Sequence, residues 1–435
     1  MEEKSRQSKD TIIIGLAIFA MFFGAGSLLF PPYLGMTSGT SWTIGFICFY
    51  IVDLVLAFVT VIALIRGTGK MSGITGIIGK IPSTIINTAV LVCIGPLFIV
   101  PRSSATTYEM AIIPVLPNFN PVVFSIIFFG IAWVMAVRRS KLVDLIGKYL
   151  TPIMVVTLVI LIFVGVTNPV GTVVAPATDS VIRDGILAGY QAMDVLGALT
   201  VAIVVIGTVS ERGYTEKNVQ VSIAAKACIV AGTLLFLIYC GLTYLGASAS
   251  GVYDITTMNQ AGLLVAITTQ LLGESGMALL GVIVAAASLT TAIGVSSAVA
   301  TYFEGLSGQK LSYNTCITII MIFSTVVSNF GLSAIISLAV PVLSVVYPTV
   351  ITLIILSFLR GKIYNVNAYK GAALVSFIIS ICTVASSYGA PITFIQKLPL
   401  VAYGFEWLIP TVIGGAIGSL IKKNSEIPAN ADEGY

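Results

Sequence analysis

FFGAGSLLFPPYLG, residues 22–35, sits inside a stretch that is otherwise apolar enough to cross a bilayer. Two glycines, a serine and a proline pair are poor material for the middle of a helix. They leave main-chain N–H and C=O groups unpaired. In hydrocarbon such groups are tolerated only where protein buries them or a polar cavity supplies partners. One break of this kind also fits a proline kink used for packing. A second break, in a matching place, decides between the two.

The surroundings of the chain are mostly lipid. Of its 435 residues 57% are hydrophobic and 9% charged, whereas an ordinary soluble domain carries about 25% charged residues. The mean hydropathy is +1.04. Spans need roughly 20 apolar residues each. They fall near 10–36, 41–65, 82–112, 119–137, 142–166, 182–210, 218–247, 275–303, 312–330, 332–359, 368–389 and 400–421. The expected fold is therefore an all-α polytopic membrane protein of twelve transmembrane helices. The first apolar run is too long for a signal peptide and reads as a retained span. Segment 251–272 is too polar to span and reads as a structured external loop helix. With the N-terminus inside, only Arg102, Arg183 and Lys397 of the 22 Lys and Arg residues fall outside the inner loops and tails. The positive-inside rule then puts both termini in the cytoplasm, which predicts a multi-pass protein of the cytoplasmic membrane.

Other classes lose their equipment. There is no histidine, and the six cysteines fall within spans at no metal-type spacing. No P-loop, clustered carboxylate pair or nucleic-acid-type basic block appears. The chain reads as neither an enzyme nor a nucleic-acid binder, with no cofactor and no evident obligate protein partner. Its partners are the bilayer and a small solute.

The second break lies in span six, RDGILAGYQAMDVLGALTVAIVVIG, residues 183–207. Asp194 lies about 16 Å into this span at helical rise, near mid-membrane, with Gly189, Met193 and Gly197 around it. Spans one and six are the first members of two sets of five. Because five is odd, the second set runs opposite to the first. Paired interruptions in corresponding halves point to a 5+5 inverted-repeat transporter with discontinuous helices 1 and 6 and a midplane site. The organisation expected is a tail at 1–9, a first repeat at 10–166, a second at 167–360, peripheral helices at 361–421 and a tail at 422–435.

The freed backbone suggests the cargo. N–H groups from Gly24, Ala25, Gly26 and Ser27 open the second half-helix at its positive end and suit a carboxylate. The last carbonyls of the first half-helix, around Ala20 and Phe23, suit a cation or an ammonium. Flanking Phe22, Phe23, Leu28 and Leu29 are apolar, and no paired cations are present to clamp a phosphate. A small zwitterion with an apolar side chain fits, with an alkali ion beside it. Met193, Asp194 and Gly197 form the opposing wall. Asp194 suits three roles: holding the substrate ammonium, tuning the cation site, or carrying a coupling proton. A structural hydrogen bond that holds the unwound segment open is the alternative. Asp53, in span two, reads equally as a structural ion pair or a transport group, and nothing marks that span as broken. Arg102 and Glu109 share a helical face in span three and suggest an external gate or packing. They would pair with each other through intermediates, or with Asp53. The loosened GPLFIVP (95–101), with Phe98 and Tyr108, would line the substrate path.

MFFGAGSLLFPPYLG (21–35), GPLFIVPRSSATTYEM (95–110) and GYQAMDVLGAL (189–199) resemble signature segments of the bacterial branched-chain amino acid:cation symporter family. The likeness runs from Thr11 to about Ile421. It implies the leucine-transporter-type fold of the amino acid/polyamine/organocation superfamily, and sodium-coupled uptake of leucine, isoleucine and valine. In proteins of that fold the substrate carboxylate binds at a Gly-x-Gly break, here Gly24-Ala25-Gly26. Span eight, GVIVAAASLTTAIGVSSAVATYFE (281–304), carries a Leu-Thr-Thr that resembles the fold's sodium motif. By that resemblance Thr290 and Thr291 supply hydroxyls to the ion, while Ala287, Ala20 and Phe23 supply carbonyls. Hydroxyls bonded back to their own helix are the competing reading. Ser27 departs from the asparagine that a second sodium site of this fold uses, which leaves such a site open. A proton-coupled carrier of apolar amino acids using Asp194 is the rival expectation.

Overall fold

Every regular element of the computed structural model is helical among the residues it describes, which are 2–67, 69–138, 142–360 and 362–421. The side chains of 2–5, Ala25 and 142–151 are outside that description, as are Arg139, Lys141 and the tail expected at 422–435. In chain order the helices are α1 (Glu2–Phe22), α2 (Ala25–Ser38), α3 (Trp42–Tyr50), α4 (Leu56–Arg66), the short α5 (Ser72–Thr75), α6 (Lys80–Val92), α7 (Ile99–Thr107) and α8 (Pro121–Val137). There follow α9 (Leu142–Thr167), α10 (Val181–Ala192), α11 (Asp194–Glu211), α12 (Lys217–Ala249), α13 (Gln260–Leu306), α14 (Tyr313–Ser328), α15 (Leu332–Ser357), α16 (Val366–Ser387) and α17 (Leu408–Leu420).

Among the described residues seven helical stretches are long and apolar enough to cross a membrane, and four further apolar helices run 10–17 residues. Their outer faces carry large exposed apolar side chains, among them Ile131, Phe163, Ile229, Leu237 and Val412. A water-soluble monomer rarely shows so much contiguous apolar surface; here it is the face toward lipid.

Both interruptions expected from the glycines are present. Span one divides into α1 and α2, with Gly24 extended at φ −126°, ψ −171°. Span six divides into α10 and α11 at Met193, which adopts a left-handed conformation at φ 70°, ψ 17°. For a non-glycine residue that geometry stores on the order of 1–3 kcal/mol and persists only where its surroundings hold it.

Three expectations need correction. Span two is not regular: the backbone widens into a π-helical turn at Ile51–Val55 that carries Asp53. IVDLV contains neither glycine nor proline, so nothing in its composition announced the turn. The polar segment 251–272 does contain a helix, but one joined directly to span eight, because α13 runs from Gln260 through a kink at Gly273 (φ 68°, ψ −172°). The last span is shorter than expected: α17 begins at Leu408, and 3-10 turns Ile395–Lys397 and Val401–Tyr403 precede it.

Glycines bring the broken helices against their neighbours. A Cβ on Gly246 of α12 would lie 1.7 Å from the Pro32 carbonyl oxygen, and one on Gly35 of α2 would lie 1.9 Å from that of Thr243. The backbones of α2 and α12 therefore touch, as small residues allow between membrane helices. Helix α1 packs on α12 as well, with Gly15 against Val230. In the same way α10 lies on α3 and the π-helical turn: Gly185 meets the Gly45 carbonyl, and Gly189 meets Val52 and the Asp53 amide.

Candidate substrate site

The break in span one is organised by one hydroxyl. Ser27 Oγ accepts from the Gly24 amide at 3.3 Å and donates to the Phe22 carbonyl at 3.1 Å. It also accepts from the buried Tyr239 hydroxyl at 2.5 Å. One donor and two lone pairs are thereby all used, so this hydroxyl locks the break rather than offering itself to a ligand. The Ser27 amide donates to the Gly24 carbonyl at 3.1 Å. Of the four amides expected to receive a carboxylate, those of Gly24 and Ser27 are thus engaged internally. The amides of Ala25 and Gly26, in the first turn of α2, have no intrahelical acceptor by helix geometry.

The break in span six faces it across a partly open cavity of about 80 Å³. Gly24, Gly26, Ser27, Met193, Asp194, Gly197 and Thr291 all line this space. Around Gly197 nothing lies within 4 Å of where a Cβ would stand, so its side faces the void. Apolar Met21, Ile99, Val201 and Val295 complete the walls, with Arg102, Ser103 and Thr200 as polar additions. Of these, Ile99 lies in the 95–101 stretch expected along the substrate path; the sequence did not assign the others to the site. The apolar ones carry no signal that separates a pocket wall from core.

Arg102, expected at an external gate or in packing, is buried beside the cavity. Its side chain is 5% exposed. Nη1 donates to the Gln191 carbonyl at 2.6 Å and Nη2 to the Ala192 carbonyl at 3.4 Å. These are the orphan acceptors at the carboxyl end of α10, where a cation is favoured. The guanidinium also stands 5.3 Å from the centre of the Phe30 ring. Glu109 does not pair with it: its carboxylate accepts from Asn259 Nδ2 at 2.7 Å and the Leu332 amide at 3.3 Å, joining the starts of α13 and α15. Asp53 and Asp194 are the acidic groups electrostatically coupled to Arg102. Asp53 is fully buried, and it lies beside Asp194. Both oxygens of Asp53, and Oδ2 of Asp194, are buried and unpartnered. Such groups are costly unless a further positive charge or proton visits them. Phe98 and Tyr108 do not wall the cavity. Phe98 is core, and the Tyr108 hydroxyl bonds the Phe119 carbonyl at 2.5 Å.

On span eight, the Thr290 and Thr291 hydroxyls each donate to the Ala287 carbonyl at 2.9 Å. Both hydroxyls thus bond back to their own helix, which is the competing reading, and the Ala287 carbonyl accepts both; each hydroxyl keeps its lone pairs for a cation. The residue types thus fit a hard monovalent ion, and among the described residues no cluster of three His, Cys, Asp or Glu gathers for a polyvalent one. Thr291 Oγ1 is 3.5 Å from where a Gly24 Cβ would lie, so this helix meets the break in span one. Thr290, Ala287, Ala20 and Phe23 stand outside the cavity walls. The Phe23 ring stacks on Phe19 with centroids 5.4 Å apart.

An apolar helical bundle in which two interrupted helices face one cavity that Arg102 and Asp194 line is the architecture of a solute carrier. The fold is similar to the inward-facing conformation of Mhp1 (TM-score 0.64, 14% identity, covering 94% of this chain and 90% of that one). It is also similar to the substrate-bound outward-open state of a Na+-coupled sialic acid symporter (TM-score 0.60, 15% identity, 94% and 89%). At such identities the likeness is one of fold. Residues 7–425 match the family described as branched-chain amino acid transport protein. The chain is 33% identical over 427 residues to the branched-chain amino acid permease BrnQ of Bacillus subtilis (strain 168), covering 94% of this chain and 96% of that one. It is 34% identical over 430 residues to the permease BraB of the same organism, covering 95% of each. The chain belongs to the branched-chain amino acid transport protein family, a family of multi-pass membrane transporters and not of enzymes.

Proposed function

We propose that this protein takes up leucine, isoleucine and valine with sodium by alternating access. The observation that carries the reading is the cavity between the two broken helices, with main-chain donors on one wall, Asp194 on the other and apolar side chains between. In this reading the substrate carboxylate meets the Ala25 and Gly26 amides, and its ammonium meets the α1 carbonyls and Asp194. The aliphatic side chain lies among Met21, Ile99, Val201 and Val295. Sodium, as co-transported ion, binds between α1 and α13 through the Ala20, Phe23 and Ala287 carbonyls and the Thr290 and Thr291 hydroxyls. Tying these two helices together favours the outward-open state that receives substrate. Only a ligand that binds one state better than the other shifts such an equilibrium. Loss of sodium to a low-sodium interior then releases the cargo. Twelve spans, ten of them in two inverted sets of five at 10–166 and 167–360 and two peripheral at 361–421, with both termini in the cytoplasm, complete the proposal.

A second reading is proton coupling at Asp194. The unpartnered, buried carboxylate oxygens of Asp53 and Asp194 favour it. One experiment separates the two: uptake of radiolabelled leucine into proteoliposomes at fixed pH, with sodium replaced by choline. Uptake is expected to fall to background. Undiminished uptake that collapses when the proton gradient is discharged would replace sodium by the proton.

A further inference from the structure

We propose that Arg102 is the group that recognises the α-carboxylate of the transported amino acid. The inference rests on the substrate-site reading above and adds to it a charged ligand from span three, where that reading relies on main-chain amides alone.

Three observations converge on Nη2 of this guanidinium. It lies 2.7 Å from where a Gly26 Cβ would stand, directly over the first turn of α2. Its bond to the Ala192 carbonyl, 3.4 Å, is at the long limit for N–H···O. Its residue lines the cavity that Gly24, Gly26 and Asp194 also line. Nη1, in contrast, holds the Gln191 carbonyl at 2.6 Å. Arg102 is therefore anchored at one nitrogen and loosely held at the other. The loose one stands beside the unsatisfied amides of a helix amino terminus. Two positive elements thus stand beside one small volume, and the hydrogen bond Nη2 makes there is the long one to the Ala192 carbonyl. A carboxylate supplies what that volume lacks. Charge-assisted bonds to it are shorter and roughly twice as strong as bonds to a neutral carbonyl, so Nη2 exchanges Ala192 for the substrate while Nη1 stays in place. A carboxylate seated there bonds Nη2 directly, which neither Asp53 nor Asp194 does, and the substrate ammonium that comes with it faces Asp194 and supplies the further positive charge that the two buried acids lack. Gly26 is then required for a specific reason: any Cβ would push Nη2 out of the carboxylate position.

The assignment also sets selectivity. A site that presents a buried charge to one ligand group rejects analogues lacking it, because the charge is then left unpaired. Amino acids are accepted, whereas amines and amides of the same shape are not.

The test measures displacement of radiolabelled leucine from the purified full-length protein by leucine and by leucinamide. Wild type is expected to favour leucine by about 100-fold or more, as for sites that reject an analogue lacking a required polar group. In Arg102→Gln leucine affinity should fall by about the same factor while leucinamide changes little, so that the ratio closes. Arg102→Lys, which keeps the charge without the planar fork, should restore part of the ratio. Equal loss of both ligands would make Arg102 a mere cap of α10 and overturn the assignment, as would an unchanged ratio. If the glutamine variant does not fold, the wild-type ratio and the lysine variant decide: wild type binding leucinamide as well as leucine overturns it. Failure of wild type to bind leucine at all would instead overturn the substrate reading beneath it.

Discussion

Ser27 shows how much one residue's chemistry settles. As a mid-membrane serine beside two glycines it read as one of four amide donors to a ligand. In the structure its hydroxyl ties the Gly24 amide, the Phe22 carbonyl and the Tyr239 phenol into one knot. The position of the break was legible from Gly24, Gly26 and the proline pair, because backbone hydrogen-bonding rules act on residue type. The knot was not, since its outer partner lies on α12, 212 residues away. Arg102 is the same case: its presence inside a span marked it, but both of its hydrogen-bond acceptors are main-chain carbonyls, which no residue type encodes. At this scale Thr291→Val tests the ion reading. Removing one oxygen that faces the break should raise the sodium concentration for half-maximal leucine uptake by about tenfold, the equivalent of about 1.4 kcal/mol of binding. Expression and thermal unfolding should remain near wild type. Unaltered sodium dependence would take α13 out of the ion site.

Among the elements, span two teaches the opposite lesson about breaks. Glycine and proline announced α1–α2 and α10–α11, yet the widened turn at Ile51–Val55 arose in a run of apolar residues around a single acid. Its cause is tertiary: α10 presses its glycine edge onto this turn, with Gly189 against Val52 and the Asp53 amide. Packing glycines are likewise indistinguishable from hinge glycines in a lone sequence, but the structure separates them, and a pair of variants checks the separation. Gly246→Leu forces a side chain into the Pro32 carbonyl and should abolish folded expression, read by detergent size-exclusion chromatography. Gly197→Ala meets no atom within 4 Å and should elute as wild type, yet bind leucine about tenfold more weakly by narrowing the cavity, a methyl's worth of misfit. A Gly197→Ala variant that neither alters binding nor disturbs folding would move the substrate away from α11.

For the whole molecule, composition was enough to place the chain in lipid, and the Lys and Arg pattern carries the orientation proposed for it. Those are global properties, set by the cost of charge in hydrocarbon. What composition does not carry is which helices move together. Both halves of the divided first span lie against α12: α1 with Gly15 on Val230, α2 with its backbone touching at Gly35 and Gly246, and the gap itself fastened through Tyr239. An interruption whose two sides are bolted to one continuous 33-residue rod acts as a notch and not as a joint. Spin labels placed at the far ends of α1 and α12 should keep one fixed separation in sodium alone, in sodium with leucine, and in neither. A separation that changes with the cargo would mean that the notch flexes, and that the working stroke passes through it.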